Sequence, residues 1–107
     1  MVLGNCILTG KIDLNSVLRK RVLLYSGGAG SITSSISEYN YLATRATTTS
    51  TWDYINSIDT NMLKLSTRPV IVANNNNASF TLTYVSDTNI TVGGLAYVSS
   101  IEIYGCI

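Results

Sequence analysis

The sequence predicts an all-β fold, a small antiparallel β-sandwich of jelly-roll-like type, and three observations lead there. Apolar and hydroxyl-bearing residues alternate over several short segments, the period of strands with one dry and one wet face. Turn-forming clusters of Gly, Asn, Ser and Asp separate those segments roughly every eight to twelve residues, the spacing of sandwiches and barrels. Charged residues make up 12% of the 107 positions while hydrophobic content is an ordinary 46%; a typical soluble domain carries roughly 25% charge. Ser, Thr and Asn fill the difference, so the expected surface is polar and uncharged.

Each element follows from local pattern. Arg21 to Tyr25 is a continuous apolar run and reads as a strand covered on both sides. Ser26-Gly27-Gly28-Ala29-Gly30 is a turn leading to a second strand, Ser31 to Ile36. Tyr39 to Thr44 is a third strand. Ser50 to Ile58 reads as one or two helical turns with Trp52, Ile55 and Ile58 on one face, and the β-branched Thr47-Thr48-Thr49 before it disfavours anything longer. Val70 to Ala73 is a strand that Pro69 must precede, since proline cannot donate to a ladder. Asn74 to Asn77 forms a turn. Phe80, Leu82 and Tyr84 then share one face of a strand, with Ser79, Thr81 and Thr83 on the other. Ile90 and Val92 point inward in the next strand, which Gly93-Gly94 closes, and Ile101 and Ile103 form the inner face of the last, with Glu102 outward. The chain reads as one domain, residues 1–107, with residues 1–18 as an attachment segment.

Composition narrows the chemistry. The formal net charge of +1 argues against nucleic-acid binding, which needs many unopposed cations. The basic cluster Arg19-Lys20-Arg21 reads as a solvated strand entrance. No apolar run approaches the ~20 residues that span a bilayer, and Met1 to Leu8 lacks the charged start of a secretory signal. The expectation is a protein made in a cytoplasm. A reducing compartment favours buried free thiols at Cys6 and Cys106. A bridge between paired terminal strands is the alternative, adding ~4–5 kcal/mol in the chain-entropy model. Two cysteines and no histidine cannot complete a zinc site.

Catalysis is not expected. Without histidine, a general base at neutral pH requires a carboxylate or lysine with a strongly shifted pKa. The six carboxylates, Asp13, Glu38, Asp53, Asp59, Asp87 and Glu102, are scattered along the chain with no paired motif. The Gly27–Gly30 loop lacks the Gly-Lys-Ser/Thr that a phosphate loop needs. The sequons at Asn77 and Asn89 are chance matches in a chain so rich in Asn, Ser and Thr. No catalytic, cofactor or metal residues are assigned. Aromatic residues beside polar ones are the usual material of binding surfaces. The candidates are Trp52 and Tyr54, in a Thr/Ser-rich segment, and Tyr39 and Tyr41, taken to share one strand face.

Three segments carry a resemblance: Leu24-Tyr25-Ser26-Gly27 with Gly30-Ser31-Ile32-Thr33, then Ile36-Ser37-Glu38-Tyr39-Asn40-Tyr41-Leu42, and the ending Ser100-Ile101-Glu102-Ile103-Tyr104-Gly105. Less specific is the opening, Leu8-Thr9-Gly10-Lys11-Ile12-Asp13-Leu14. Together they resemble bacteriophage tail-fibre, appendage and related virion-surface domains. The run Arg45-Ala46-Thr47-Thr48-Thr49-Ser50-Thr51 departs from that pattern. The shared positions are strand and turn residues, so no functional residue carries over. The resemblance implies a homotrimeric virion structural protein that contacts other virion proteins and a host-surface glycan or protein. The alternatives are a capsid decoration protein and a free carbohydrate-binding module.

Overall fold

The structure, a computed structural model, describes residues 21–74 and 76–107. Among these residues, eight strands build two antiparallel sheets and one short helix joins them. The strands are β1 (Val22–Gly27), β2 (Gly30–Ile32), β3 (Tyr41–Thr48), β4 (Asp53–Asp59), β5 (Val70–Ala73), β6 (Ser79–Ser86), β7 (Asn89–Ala96) and β8 (Val98–Cys106), with the helix, α1 (Thr60–Leu65), between β4 and β5. One sheet runs β1-β8-β3-β4 and the other β2-β7-β6-β5. The pairs β1–β8 and β2–β7 are those of a rolled-up eight-strand ribbon, the jelly-roll-like half of the fold. At the other side, β3–β4 and β5–β6 pair as sequence neighbours.

The alternation read from sequence sets the core. Ile32, Phe80, Leu82, Ile90 and Val92 from one sheet meet Leu42, Ala46, Ile101 and Ile103 from the other, all buried. Their neighbours in sequence, among them Thr81, Thr83, Thr91 and Glu102, take the outward positions. None of the strands β2, β5, β6 and β7 contains a charged residue. On the outer face of their sheet, Ser31 lies opposite Thr91 and Thr91 opposite Thr83, while Thr81 sits between Ile71 and Gly93.

Several sequence expectations are corrected. The segment read as helical at Ser50 to Ile58 is a hairpin loop followed by β4, which pairs with β3 from Tyr41 opposite Asp59 to Thr47 opposite Asp53. Its period is two, with Tyr54 and Ile58 against the core, and cross-strand pairing overrides the three-residue spacing of Trp52, Ile55 and Ile58. The helix lies further on. Asp59 caps it, its carboxylate accepting from the N–H of Asn61 (2.9 Å) and of Met62 (3.3 Å), which satisfies two orphan donors of the first turn. No helix among the described residues is long and apolar enough to cross a membrane.

β1 is an edge strand among the described residues rather than a doubly covered one. Val22 and Leu23 are exposed, and a register shift between Leu23 and Tyr25 turns both Leu24 and Tyr25 toward the core. Gly93-Gly94 does not end β7. Gly94 sits inside the strand at φ +60°, where a Cβ would lie 2.9 Å from the Thr81 hydroxyl oxygen, and the register shifts there. Cys106 is buried and disulfide-bonded, which overturns the free-thiol expectation for it. Cys6, Arg19, Lys20 and the attachment segment at 1–18 lie outside the described residues.

The two sheets are tied at one lateral edge by Tyr54, whose hydroxyl reaches across from β4 to the Val72 carbonyl of β5 (3.2 Å). Beneath α1, Asp87 in the β6–β7 turn accepts from the Tyr84 hydroxyl and lies 3.4 Å from the Lys64 ammonium. The Asp87 carboxyl is held below the usual carboxylate range, first by that Tyr84 hydrogen bond and then by Lys64.

Candidate functional site

One end of the sandwich carries an open cleft of about 380 Å³. The β3–β4 loop (Thr49, Ser50 and Trp52), the β5–β6 loop (Asn74, Asn76 and Asn77) and Tyr97 at the β7–β8 crossing wall it, and the buried Ala78 lies among them. Among the described residues none that lines it bears a charge.

Local hydrogen bonding holds each wall. Thr48, the last residue of β3, donates its N–H to the Trp52 carbonyl (2.7 Å), and its hydroxyl accepts from the Trp52 N–H (3.1 Å). Thr49 donates its N–H to the Tyr97 carbonyl (3.0 Å). Both aromatic residues are thereby fixed to the end of one strand. Across the cleft, the Asn74 side-chain carbonyl accepts from the N–H of Asn76 (2.8 Å) and of Ala78 (3.0 Å), and the Asn74 N–H donates to the Ala78 carbonyl (3.0 Å). This asparagine replaces turn contacts that the backbone cannot make for itself.

Strain concentrates here as well. Among the described residues, the non-glycine positions with positive φ are Thr51 (68°), Asn77 (70°) and Tyr97 (55°). All three belong to the segments that wall the cleft. Asparagine tolerates the left-handed region, but a β-branched threonine and a bulky tyrosine do so only under constraint, at ~1–3 kcal/mol each. The result is two rings turned outward: Trp52 is 73% exposed and Tyr97 67%.

Of the four aromatic residues predicted for a binding surface, Trp52 alone lies on the cleft. Tyr54 is half-buried in β4 and spends its hydroxyl on Val72. Tyr39 precedes β3 rather than lying in it, and its ring is 8% exposed, folded inward over Gly105. Burial, and then the neighbouring Glu38 carboxylate, push its phenol up from the ordinary tyrosine value. Tyr41 is on the outer face at the opposite end of β3, across from Asp59 and Cys106. Sequence reasoning missed Tyr97. It shares parity with Ile101 and Ile103, which predicts an inward ring, but a register shift between Thr47 and Thr48 lets Val98 take the buried place. The legible signal was the conflict itself: Val98 and Ile101 cannot both face inward on an unbroken period of two.

A second depression of about 440 Å³, on the outer face of β1-β8-β3-β4, is lined by Arg21, Ala43, Thr44, Arg45, Ile55 and Tyr104. Its charged groups are already engaged with one another or with Tyr104. Arg45 pairs with Glu102 (Nε to Oε1, 2.9 Å), the Tyr104 hydroxyl donates to the same oxygen (3.1 Å), and the Arg21 guanidinium sits 5.8 Å from the Tyr104 ring centroid. The cleft at the loop end is the better candidate, because its rings and amides are held open to solvent. Among the described residues no group of three or more His, Cys, Asp or Glu converges as a metal site would require.

Compared with known families, curated proteins and solved structures, the chain matches none.

Proposed function

We propose that this chain is a recognition domain without catalytic chemistry, carried on a bacteriophage particle as a fibre or appendage module, which attaches to a host surface through the loop end of its sandwich. One observation carries the recognition reading: of the strained positions, Asn77 and Tyr97 line the cleft and Thr51 sits between its lining residues Ser50 and Trp52, where Trp52 and Tyr97 are presented. Strain of this kind persists only where the surrounding structure over-determines it, and it favours functional loops. The virion setting rests on the resemblance of the segments that become β1, β2 and β8. A homotrimer fits both: three weak sites on one assembly gain avidity that a single open cleft lacks.

The test is adsorption. Full-length protein, labelled at its amino groups, is titrated onto host cells beside Trp52→Ala and Tyr97→Ala. Both variants should lose most of the cell-bound signal, and the native protein should be found in purified particles. Equal binding by all three proteins defeats the reading.

The charge-free sheet favours a second reading, a capsid decoration protein whose β2-β7-β6-β5 face lies against a capsomer. Density for this chain on the head lattice of a particle, with that face inward, would select it over the appendage.

A further inference from the structure

From the chemistry of the cleft walls we infer that its ligand is an uncharged saccharide, stacked on Trp52 and Tyr97 and hydrogen-bonded by the asparagine loop. This rests on the reading of the loop end as the recognition surface, and adds the class of molecule recognised.

Four features point the same way. Among the described residues the lining holds no carboxylate, ammonium or guanidinium, so a phosphate, sialic acid or uronic acid entering it would surrender hydration without meeting an opposite charge there. Two exposed rings supply flat apolar area, which suits the C–H face of a pyranose. Asn76, Asn77, Thr49 and Ser50 ring them with groups that both donate and accept, and sugar hydroxyls do the same. Neither the Trp52 indole N–H nor the Tyr97 hydroxyl is committed to another residue, so both remain available to a ligand. A folded peptide or an apolar drug-like molecule would ask for an enclosed hydrophobic pocket, typically ~300–1,000 Å³. This space is open rather than enclosed, its walls mix polar groups with two rings, and its volume of about 380 Å³ is room for a mono- or disaccharide unit.

The walls are also set before the ligand arrives. The Thr48–Trp52 and Thr49–Tyr97 backbone bonds and the Asn74 cage fix the loops, so binding orders little new structure and keeps most of its contact energy.

Trp52 is the chain's single tryptophan, so its fluorescence reports on this site alone. The full-length protein is titrated with a panel of neutral oligosaccharides of glucose, galactose, mannose and N-acetylhexosamines, and with sialylated and uronic-acid counterparts. A saturable change in Trp52 emission with at least one neutral sugar is expected. Tyr97→Phe should weaken that sugar by about fivefold, the scale of one lost hydrogen bond, while Tyr97→Ala should weaken it by more, at least about tenfold, the scale of losing an aromatic anchor. Because Tyr97 has a strained backbone, Trp52→Ala followed by calorimetry gives an independent arm and should show the same loss. The inference is overturned if no neutral sugar perturbs Trp52, if only acidic sugars do, or if both alanine variants bind as wild type. Two further outcomes separate this inference from the reading beneath it. Cell binding that needs Trp52 but survives periodate oxidation of the cell-surface glycans overturns the saccharide alone. Cell binding indifferent to Trp52 and Tyr97 overturns both.

Discussion

Gly105→Ala is a sharp probe of the core that supports the cleft. Gly105 lies buried in β8, paired with Val22 on one side and Leu42 on the other. A Cβ there would stand 2.6 Å from Tyr39 Cδ2 and 2.7 Å from Cε2 and Cγ. Carbon atoms rest about 3.5–4.0 Å apart, so the ring must retreat by about 1 Å. It has no free space to enter, because Tyr39 is 8% exposed and part of the core cluster. Overpacking of this kind costs about 1–3 kcal/mol, and a clash along one ring edge belongs at the upper end, about 3 kcal/mol. Against a total stability of roughly 5–15 kcal/mol, that is a large fraction. In urea, with a slope of about 2 kcal/mol/M, the midpoint should fall by about 1.5 M with the slope unchanged. Tyr39→Ala alone should cost about 3–5 kcal/mol through the cavity it leaves. The double variant should be more stable than the sum implies by at least about 1 kcal/mol, since the new methyl enters the vacated space. A Gly105→Ala midpoint within error of wild type, or strict additivity with Tyr39→Ala, would show that Tyr39 does not cover Gly105.

Three further outcomes are expected. Thr51→Gly removes about 1–3 kcal/mol of left-handed strain and adds back about 0.5–1 kcal/mol of unfolded-chain entropy, so the thermal midpoint should rise; a fall shows that Thr51 is not strained. Asp87 has a depressed folded pKa, so its contribution is present above the unfolded carboxylate value of about 3.9 and is lost as pH drops through the folded value. The stability gap between wild type and Asp87→Asn, measured by urea melts, should therefore narrow from about pH 7 to about pH 3; a constant gap contradicts the Tyr84–Asp87–Lys64 contact. Cys106 carries a disulfide and the sequence holds two cysteines, so reduction should raise the intact mass by about two daltons and lower the melting temperature. Conversion from a dimer mass to a monomer mass would place the bond between chains instead.

What was legible in the sequence was the period of two, because hydroxyl residues on wet faces leave the apolar set unambiguous at Phe80–Leu82–Tyr84 and Ile101–Ile103. What was not legible came from long-range pairing. β4 is strand because β3 lies beside it, and its own residues, with Trp52, Ile55 and Ile58 three apart, equally fit a helical face. The Asp59 cap and Pro69 bracket α1 in the sequence, yet six residues give too little periodicity to recognise. Bulges defeated the rest. The shifts at Leu23/Tyr25, at Gly94 and at Thr47/Thr48 each reverse which side chains face inward, and the last of them brought Tyr97 to the cleft while only Trp52 was foreseen.

The sheet β2-β7-β6-β5 has a physical corollary of its own. Its four strands hold no side chain charged near neutral pH, and the Tyr84 phenol is raised above its ordinary value by its hydrogen bond to Asp87. Dissolved ions therefore have nothing there to shield, and protons nothing to titrate below the phenol's range. Ionic strength acts on attraction between charges, over about 10 Å at 0.1 M. A contact made by this face would thus grip about equally in brine and in fresh water, and at any pH below the phenol's range in which the fold survives.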